Sequence, residues 1–272
     1  MEEYILNNNV KIPQIGFGTS LVEGKECIDN IKDALKIGYR HIDTASVYKN
    51  EKEIGKAIKE SNILREEIFI TSKVWKDSMG YKNTIKSFNQ TIKDLEVEYL
   101  DLFLIHWPCN KDKQINIETW KALEDLYKIG KVKAIGVSNF LKHHLEWILE
   151  TCEIKPMVNQ IEYHPGLIRK ETVDFCKKNN IIVEAWAPLG KGKMLSNEEL
   201  VKIANKYNKS VAQICLKWSL QNGILPLPKS SNKERMKQNL ELFDFQISEA
   251  DMKFINNMKF FAGSDMDPNK FN

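Results

Sequence analysis

The chain has 272 residues, 42% of them from the AVILMFWYC set and 28% charged, with 13 Gly and 8 Pro. This is enough chain to bury a sizeable core, and the Gly and Pro content excludes a collagenous or linker-dominated protein, as the hydrophobic share excludes intrinsic disorder. Forty Lys+Arg against 37 Asp+Glu leave a net charge of +3 with the signs interspersed, so there is no basic stripe for nucleic acid or an anionic membrane.

In chain order, the opening MEEYILNNNV lacks the basic and apolar regions of a secretory signal. Residues 4–6 and 10–12, joined by Asn7, Asn8 and Asn9, read as a small hairpin. Short β-branched apolar runs follow: QIGFGT (14–19), YRHID (39–43), IFITSKV (68–74), LDLFLIH (100–106), VKAIGVS (132–138), MVNQIE (157–162), IIVEAWA (181–187) and ILPLP (224–228). Helix-period segments separate them at 50–60, 84–95, 118–129, 141–150 and 169–179, and two more, 197–207 and 211–221, precede the last run. Gly38 and Gly130 stand where helix C-caps are expected, and Ser248 caps a final helix reaching about Met258.

Strand runs alternating with helices call for a parallel sheet. Eight such βα units in about 250 residues make a (β/α)8 TIM barrel, with the hairpin as its floor and an extra C-terminal helix. The chain, 1–272, reads as one domain. A doubly wound dinucleotide fold fails at its fingerprint: Gly16-Phe17-Gly18 begins it, but Leu21 stands where the third glycine belongs. The longest apolar stretch, 100–107, is far short of the roughly 18 residues a membrane span needs. Five scattered cysteines without a CxxC fit reduced thiols, and a cytoplasmic monomer is expected.

In such a barrel chemistry sits at the C-terminal strand ends. There stand Asp43, Lys73, His106, Ser138-Asn139, Gln160, Glu162, Trp186 and Lys229-Ser230, with Tyr48 just beyond the second strand. Each alone has an ordinary reading: Asp as a turn residue, Lys reaching for solvent, His as a rim residue. Convergence on one mouth gives them a joint chemistry. A carboxylate at Asp43 restores the charge of a buried Lys73, and the ammonium lowers the pKa of Tyr48 from its reference of about 10. A tyrosine so tuned can protonate a developing alkoxide while His106 hydrogen-bonds the same oxygen, which suits carbonyl reduction without a metal. Lys229 and Arg235, with Ser230 and Ser231 at a helix start, suit a dianionic phosphate.

Taken together, GFGT (16–19), GYRHIDTASVYKNEKEIGKAI (38–58), ITSKVW (70–75), LDLFLIHWP (100–108), IGVSNF (135–140), VNQIEYHP (158–165), PLG (188–190) and LPKS (227–230) resemble the aldo-keto reductase superfamily, and within it the compact length and the GSDMDP tail (263–268) resemble the branch of bacterial 2,5-diketo-gluconate reductase and prostaglandin F synthase. The resemblance implies an NADPH-dependent reductase of small carbonyl substrates, with Tyr48 as general acid, Asp43 and Lys73 tuning it, and His106 orienting the carbonyl. It places Ser138, Asn139 and Gln160 at the carboxamide and Trp186 on the nicotinamide ring. Gly18, Thr19, Asp43, Ala187, Pro188 and Leu189 would line the cofactor tunnel, Lys229, Ser230, Ser231 and Arg235 would hold the 2′-phosphate, and Gln238 and Asn239 would meet the adenine. Trp75 and Trp107 would wall the substrate pocket beside Tyr48 and His106. Ser20 stands where some members carry a bulky aromatic, and the loops are short. An open pocket for short aldehydes, dicarbonyls such as methylglyoxal, or keto-sugars is therefore expected.

Two other functions compete. His41, Asp43, His106 and His164 are metal-ligand types near strand ends, but Lys73 would repel a divalent ion. An NADPH-binding redox-sensing or scaffold subunit without turnover would share the fold, and the intact set Asp43, Tyr48, Lys73 and His106 argues against it.

Overall fold

The computed structural model describes residues 2–270. Strands β1 (Glu3–Ile5) and β2 (Lys11–Pro13) pair antiparallel, with Tyr4 opposite Ile12. Asn9 takes a positive φ of 67° in the turn, and Asn8 Oδ1 accepts from Val10 N at 3.2 Å, a role asparagine fills readily. The hairpin lies under the barrel because its polar tip finds carbonyls there. Asn7 Nδ2 donates to Pro156 O (3.0 Å) and Asn8 Nδ2 to Lys133 O (2.9 Å), just before or at the start of two barrel strands.

The barrel strands are β3 (Phe17–Gly18), β4 (His41–Asp43), β5 (Phe69–Val74), β6 (Leu100–Ile105), β7 (Val132–Ser138), β8 (Val158–Glu162), β9 (Ile182–Trp186) and β10 (Ile224–Leu227). They are parallel neighbours in sequence order. Two hydrogen bonds join the outer members, Gly16 N to Pro226 O (3.1 Å) and Gly18 N to Pro228 O (3.0 Å), and these close the ring. Glycine is required at that seam. A Cβ on Gly16 would lie 2.5 Å from Leu227 Cδ2 and 2.7 Å from His41 Nδ1.

Helices α1 (Gly24–Ile37), α2 (Glu51–Glu60), α3 (Tyr81–Leu95), α4 (Lys113–Lys128), α5 (Lys142–Leu149), α6 (Lys170–Lys178), α7 (Glu198–Tyr207), α8 (Val211–Gln221), α9 (Lys233–Leu240) and α10 (Glu249–Asn256) pack outside. Strand and helix apolar faces merge into one core that includes Trp120, Phe103, Phe140 and Trp218. The expected helix at 118–129 starts five residues earlier, because Asp112 caps it by accepting from Gln114 N at 2.9 Å. Ser248 caps α10 as expected, accepting from Asp251 N. Among the described residues no helix is long and apolar enough to cross a membrane.

Candidate active site

Strand register decides which side chains share the interior. Asp43 lies opposite Thr71, Lys73 opposite Leu104, Ser138 opposite Gln160, and Gln160 opposite Glu184. Side chains alternate along a strand, so His41 and Asp43, Thr71 and Lys73, Gln160, and Glu184 and Trp186 all share the inner face. Asp43, Lys73, Ser138 and Trp186 stand at or within one residue of the C-terminal ends of their strands.

Lys73 is fully buried and donates three hydrogen bonds of 2.8 Å, to both carboxylate oxygens of Asp43 and to Thr44 O. An ammonium has three hydrogens, so none remains for another partner. Burial disfavours its charge, but Asp43 and Tyr48 outweigh that and hold Lys73 above the usual lysine value. Its nitrogen lies 5.5 Å from the centroid of the Tyr48 ring. Tyr48 ends a 3-10 turn, Ser46–Tyr48, pinned to β5 by Ser46 Oγ donating to Lys73 O (3.0 Å). Here the structure corrects the expected tuning. Burial pushes the phenol above its ordinary value; Lys73 pulls it back only in part, with a smaller lowering from the Ser20 hydroxyl. The result is a tyrosine that keeps its proton at neutral pH, with a cation close by to stabilise the phenolate once the proton leaves.

His106 meets Tyr48 edge-on, with ring centroids 5.7 Å apart, and meets Trp75 edge-on at 5.1 Å. Burial and the Lys73 charge hold it well below the usual histidine value, so it is neutral. Its Nδ1 is buried and, among the described residues, has no hydrogen-bond partner. A neutral imidazole has one N–H to donate, as an orienting group for a carbonyl oxygen must.

The expected carboxamide residues form one network with this set. Gln160 Nε2 donates to Asp43 Oδ2 (2.8 Å), Ser138 Oγ to Gln160 O (2.9 Å), and Asn139 Nδ2 to His106 O (3.0 Å) and Ser138 Oγ (3.1 Å). Trp186 Nε1 donates to Asn139 Oδ1 at 2.8 Å, which fixes the half-buried indole. The Asn139 side chain is thus already engaged at both ends, so it supports Trp186 and the His106 backbone before any ligand arrives. Asn139 (φ 63°) and Ala187 (φ 47°) both hold positive φ, a strain that non-glycine residues bear where a site demands a particular chain path.

Thr19 is buried and turned inward, Oγ1 donating to Asp43 O (2.9 Å). Asn50 anchors the adjoining loop through Thr19 O (2.9 Å) and Val22 O (3.0 Å). Pro188 is buried and Leu189 partly so. The phosphate cluster forms a second group at the start of α9, joined to the first where Gly18 packs against Lys229. Lys229 and Arg235 are exposed and, among the described residues, enter no ion pair, whereas neighbouring Lys233 is taken by Asp33 at 2.9 Å. Ser230 Oγ accepts from Asn232 N, and Ser231 is exposed. Two unneutralised cations and hydroxyls at a helix N-terminus fit a dianionic phosphate. Gln238 is exposed and Asn239 buried, as adjacent helix positions must diverge, so the two present different surroundings. Trp75 is partly exposed, but Trp107 is only 4% exposed and offers little surface as a pocket wall.

Sequence reasoning passed over Glu184, which is fully buried, accepts from Gln160 Nε2 at 2.7 Å, and has one oxygen 4.0 Å from His41 Nε2. The signal was present: an acid inside the apolar run IIVEAWA is an anomaly. Glu162 at the end of β8 accepts from Ser264 N (2.7 Å) and Ser264 Oγ (2.6 Å), and so ties the C-terminal tail across the barrel mouth.

An interior lysine–aspartate pair beside a tyrosine and a neutral histidine, at the mouth of a parallel barrel, defines a carbonyl oxidoreductase site. The model of the Aldo/keto reductase family matches residues 14–259. The glyoxal reductase of Bacillus subtilis (strain 168) is 53% identical over 248 residues, covering 91% of this chain and 89% of that protein. The 9,11-endoperoxide prostaglandin H2 reductase of Trypanosoma cruzi (strain CL Brener) is 44% identical over 270 residues, with 98% and 94% coverage. Among solved structures, a mutant of Gox0644 in complex with NADPH superposes with a TM-score of 0.94 at 40% identity, covering 100% of this chain and 98% of that one. The chain belongs to the aldo/keto reductase family and is an NADP-dependent oxidoreductase of that class.

Proposed function

We propose that this chain acts as a single-domain, cytoplasmic, monomeric reductase that converts small aldehydes, dicarbonyls such as methylglyoxal, or keto-sugars to alcohols with NADPH. The observation that carries the reading is the saturated Lys73: its hydrogens are spent on Asp43 and Thr44, so it acts on Tyr48 through its field. The family's reductive chemistry and the name of the glyoxal reductase relative support the substrate class.

NADPH, when bound, supplies the hydride. Lys229, Ser230, Ser231 and Arg235 would hold its 2′-phosphate. Gln160, supported by Ser138 and Asn139, would hold its carboxamide, and Trp186 would stack on the nicotinamide ring. His106 donates its N–H to the carbonyl oxygen and orients it beside Tyr48. As charge builds on that oxygen, Tyr48 gives up its hydroxyl proton, the alcohol forms, and the phenolate is stabilised by the Lys73 cation until solvent returns the proton. Partly exposed Ser20, Trp75 and the tail tied down by Glu162 border the substrate side.

A screen of short aldehydes, dicarbonyls and keto-sugars, with NADPH and NADH side by side, tests this reading. Saturable NADPH oxidation is expected with several of them and slower turnover with NADH. Binding of NADPH without turnover over the whole panel would favour the scaffold alternative instead.

A further inference from the structure

We infer that Glu184 is a positioning residue for the nicotinamide end of the cofactor: with Asp43 it fixes the Gln160 amide so that this side chain can offer a ligand only its carbonyl oxygen. The inference rests on the reading of Gln160 as a carboxamide-holding residue.

A glutamine amide carries two N–H donors and one carbonyl acceptor. In Gln160 the nitrogen donates to Asp43 Oδ2 at 2.8 Å and to Glu184 Oε2 at 2.7 Å, so both hydrogens are engaged. The three side chains converge from β4, β8 and β9, and none belongs to a residue more than 4% exposed. Asp43 alone would leave one N–H unpaired in the interior, and the amide could turn to present either end. Two carboxyl acceptors on the same nitrogen remove that freedom. The oxygen left over suits a partner with N–H to give, such as a primary carboxamide.

Glu184 has little else to do. Its second oxygen is buried and, among the described residues, makes no hydrogen bond, and His41, the nearest imidazole at 4.0 Å, is occupied with Thr71 Oγ1 at 2.9 Å. Lys73 is committed to Asp43 and Thr44. A buried carboxyl with one bond is costly, and an apolar side chain would pack there more cheaply. The bond to Gln160 is what distinguishes this acid from such a filler.

The test measures dissociation constants for NADPH and for adenosine 2′,5′-bisphosphate, which lacks the nicotinamide. Glu184→Met, similar in length but without an acceptor, is expected to weaken NADPH about 10-fold, or about 1.4 kcal/mol, while the bisphosphate is bound as by wild type. Glu184→Gln keeps an acceptor and should bind both like wild type. Glu184→Asp, which withdraws the carboxyl by one methylene, should repeat the selective loss and serves if the methionine variant does not fold. Unchanged NADPH binding in Glu184→Met or Glu184→Asp, alongside a loss in Gln160→Met, would overturn the inference alone. Unchanged binding in Gln160→Met as well would overturn the nicotinamide reading beneath it. Equal losses for both ligands in the Glu184 variants would mark a structural defect and contradict the inference.

Discussion

Lys73 holds its ammonium nitrogen 2.8 Å from both carboxylate oxygens of Asp43, with the lysine fully buried and the aspartate nearly so. The pair is half of a larger arrangement, because one of the two Asp43 oxygens, Oδ2, also receives Gln160. The groups proposed for acid–base chemistry and for holding the cofactor therefore share one carboxylate.

Breaking that pair from one side strands a buried charge. Asp43→Ala should lower unfolding stability by about 3–5 kcal/mol, read from urea midpoints, and Lys73→Met should also destabilise. The double variant should lose less than the two losses added. Simple additivity would show that the charges do not depend on each other.

Among the buried histidines, His41 and His106 beside Lys73 predict a pH signature. Burial and Lys73 hold His41 down to about 3 and His106 well below its usual value. The native state therefore refuses protons that the unfolded chain accepts below about pH 6.5, and stability falls as the pH drops below that point. Activity should show no histidine titration between pH 5 and 7. A kcat/KM profile bending near 6.5 that straightens in His106→Gln would contradict the neutral imidazole.

Much of this was legible in the sequence. Eight apolar runs at regular spacing specify a barrel, and the strand-end positions of Asp43, Lys73, His106, Ser138, Gln160 and Trp186 announce a mouth. Partner choice was less legible. That Asn139 is engaged by Trp186, or that Trp107 is buried, depends on side-chain directions that spacing does not encode. The sign of the Tyr48 shift was missed because it is a balance between burial and the Lys73 field, and only a structure weighs the first. Glu184 was passed over because its meaning comes from the strand beside it, through the Gln160 register.

Glu184 makes a stability prediction of opposite sense to the histidines. Burial, and next Asp43, push its carboxyl up to about 8, with Gln160 and Lys73 acting against them and His41 the remaining nearby titratable group. The native state then holds a proton that the unfolded chain has lost, so this contribution is complete below about pH 4.5 and disappears as pH rises through about 8. Wild type should lose stability relative to Glu184→Gln between pH 5 and 9. A constant difference across that range would show that the carboxyl does not titrate there.

Arg235 and Lys229, which stand at the start of α9 and enter no ion pair among the described residues, predict cofactor preference. Arg235→Ala should weaken NADPH about 10- to 100-fold, the range for a lost charge-assisted hydrogen bond, and leave NADH binding nearly unchanged. Raising salt should shrink the difference. Equal losses for both cofactors would remove the 2′-phosphate from this site.

If Tyr48 delivers the proton in carbonyl reduction, single-turnover NADPH oxidation with methylglyoxal must slow sharply in Tyr48→Phe relative to wild type. The phenylalanine keeps the ring between Lys73 and His106 and removes only the hydroxyl. The rate should fall by about 100-fold or more, with the NADPH dissociation constant unchanged. A Tyr48→Phe enzyme turning over within a fewfold of wild type would show that another group delivers the proton.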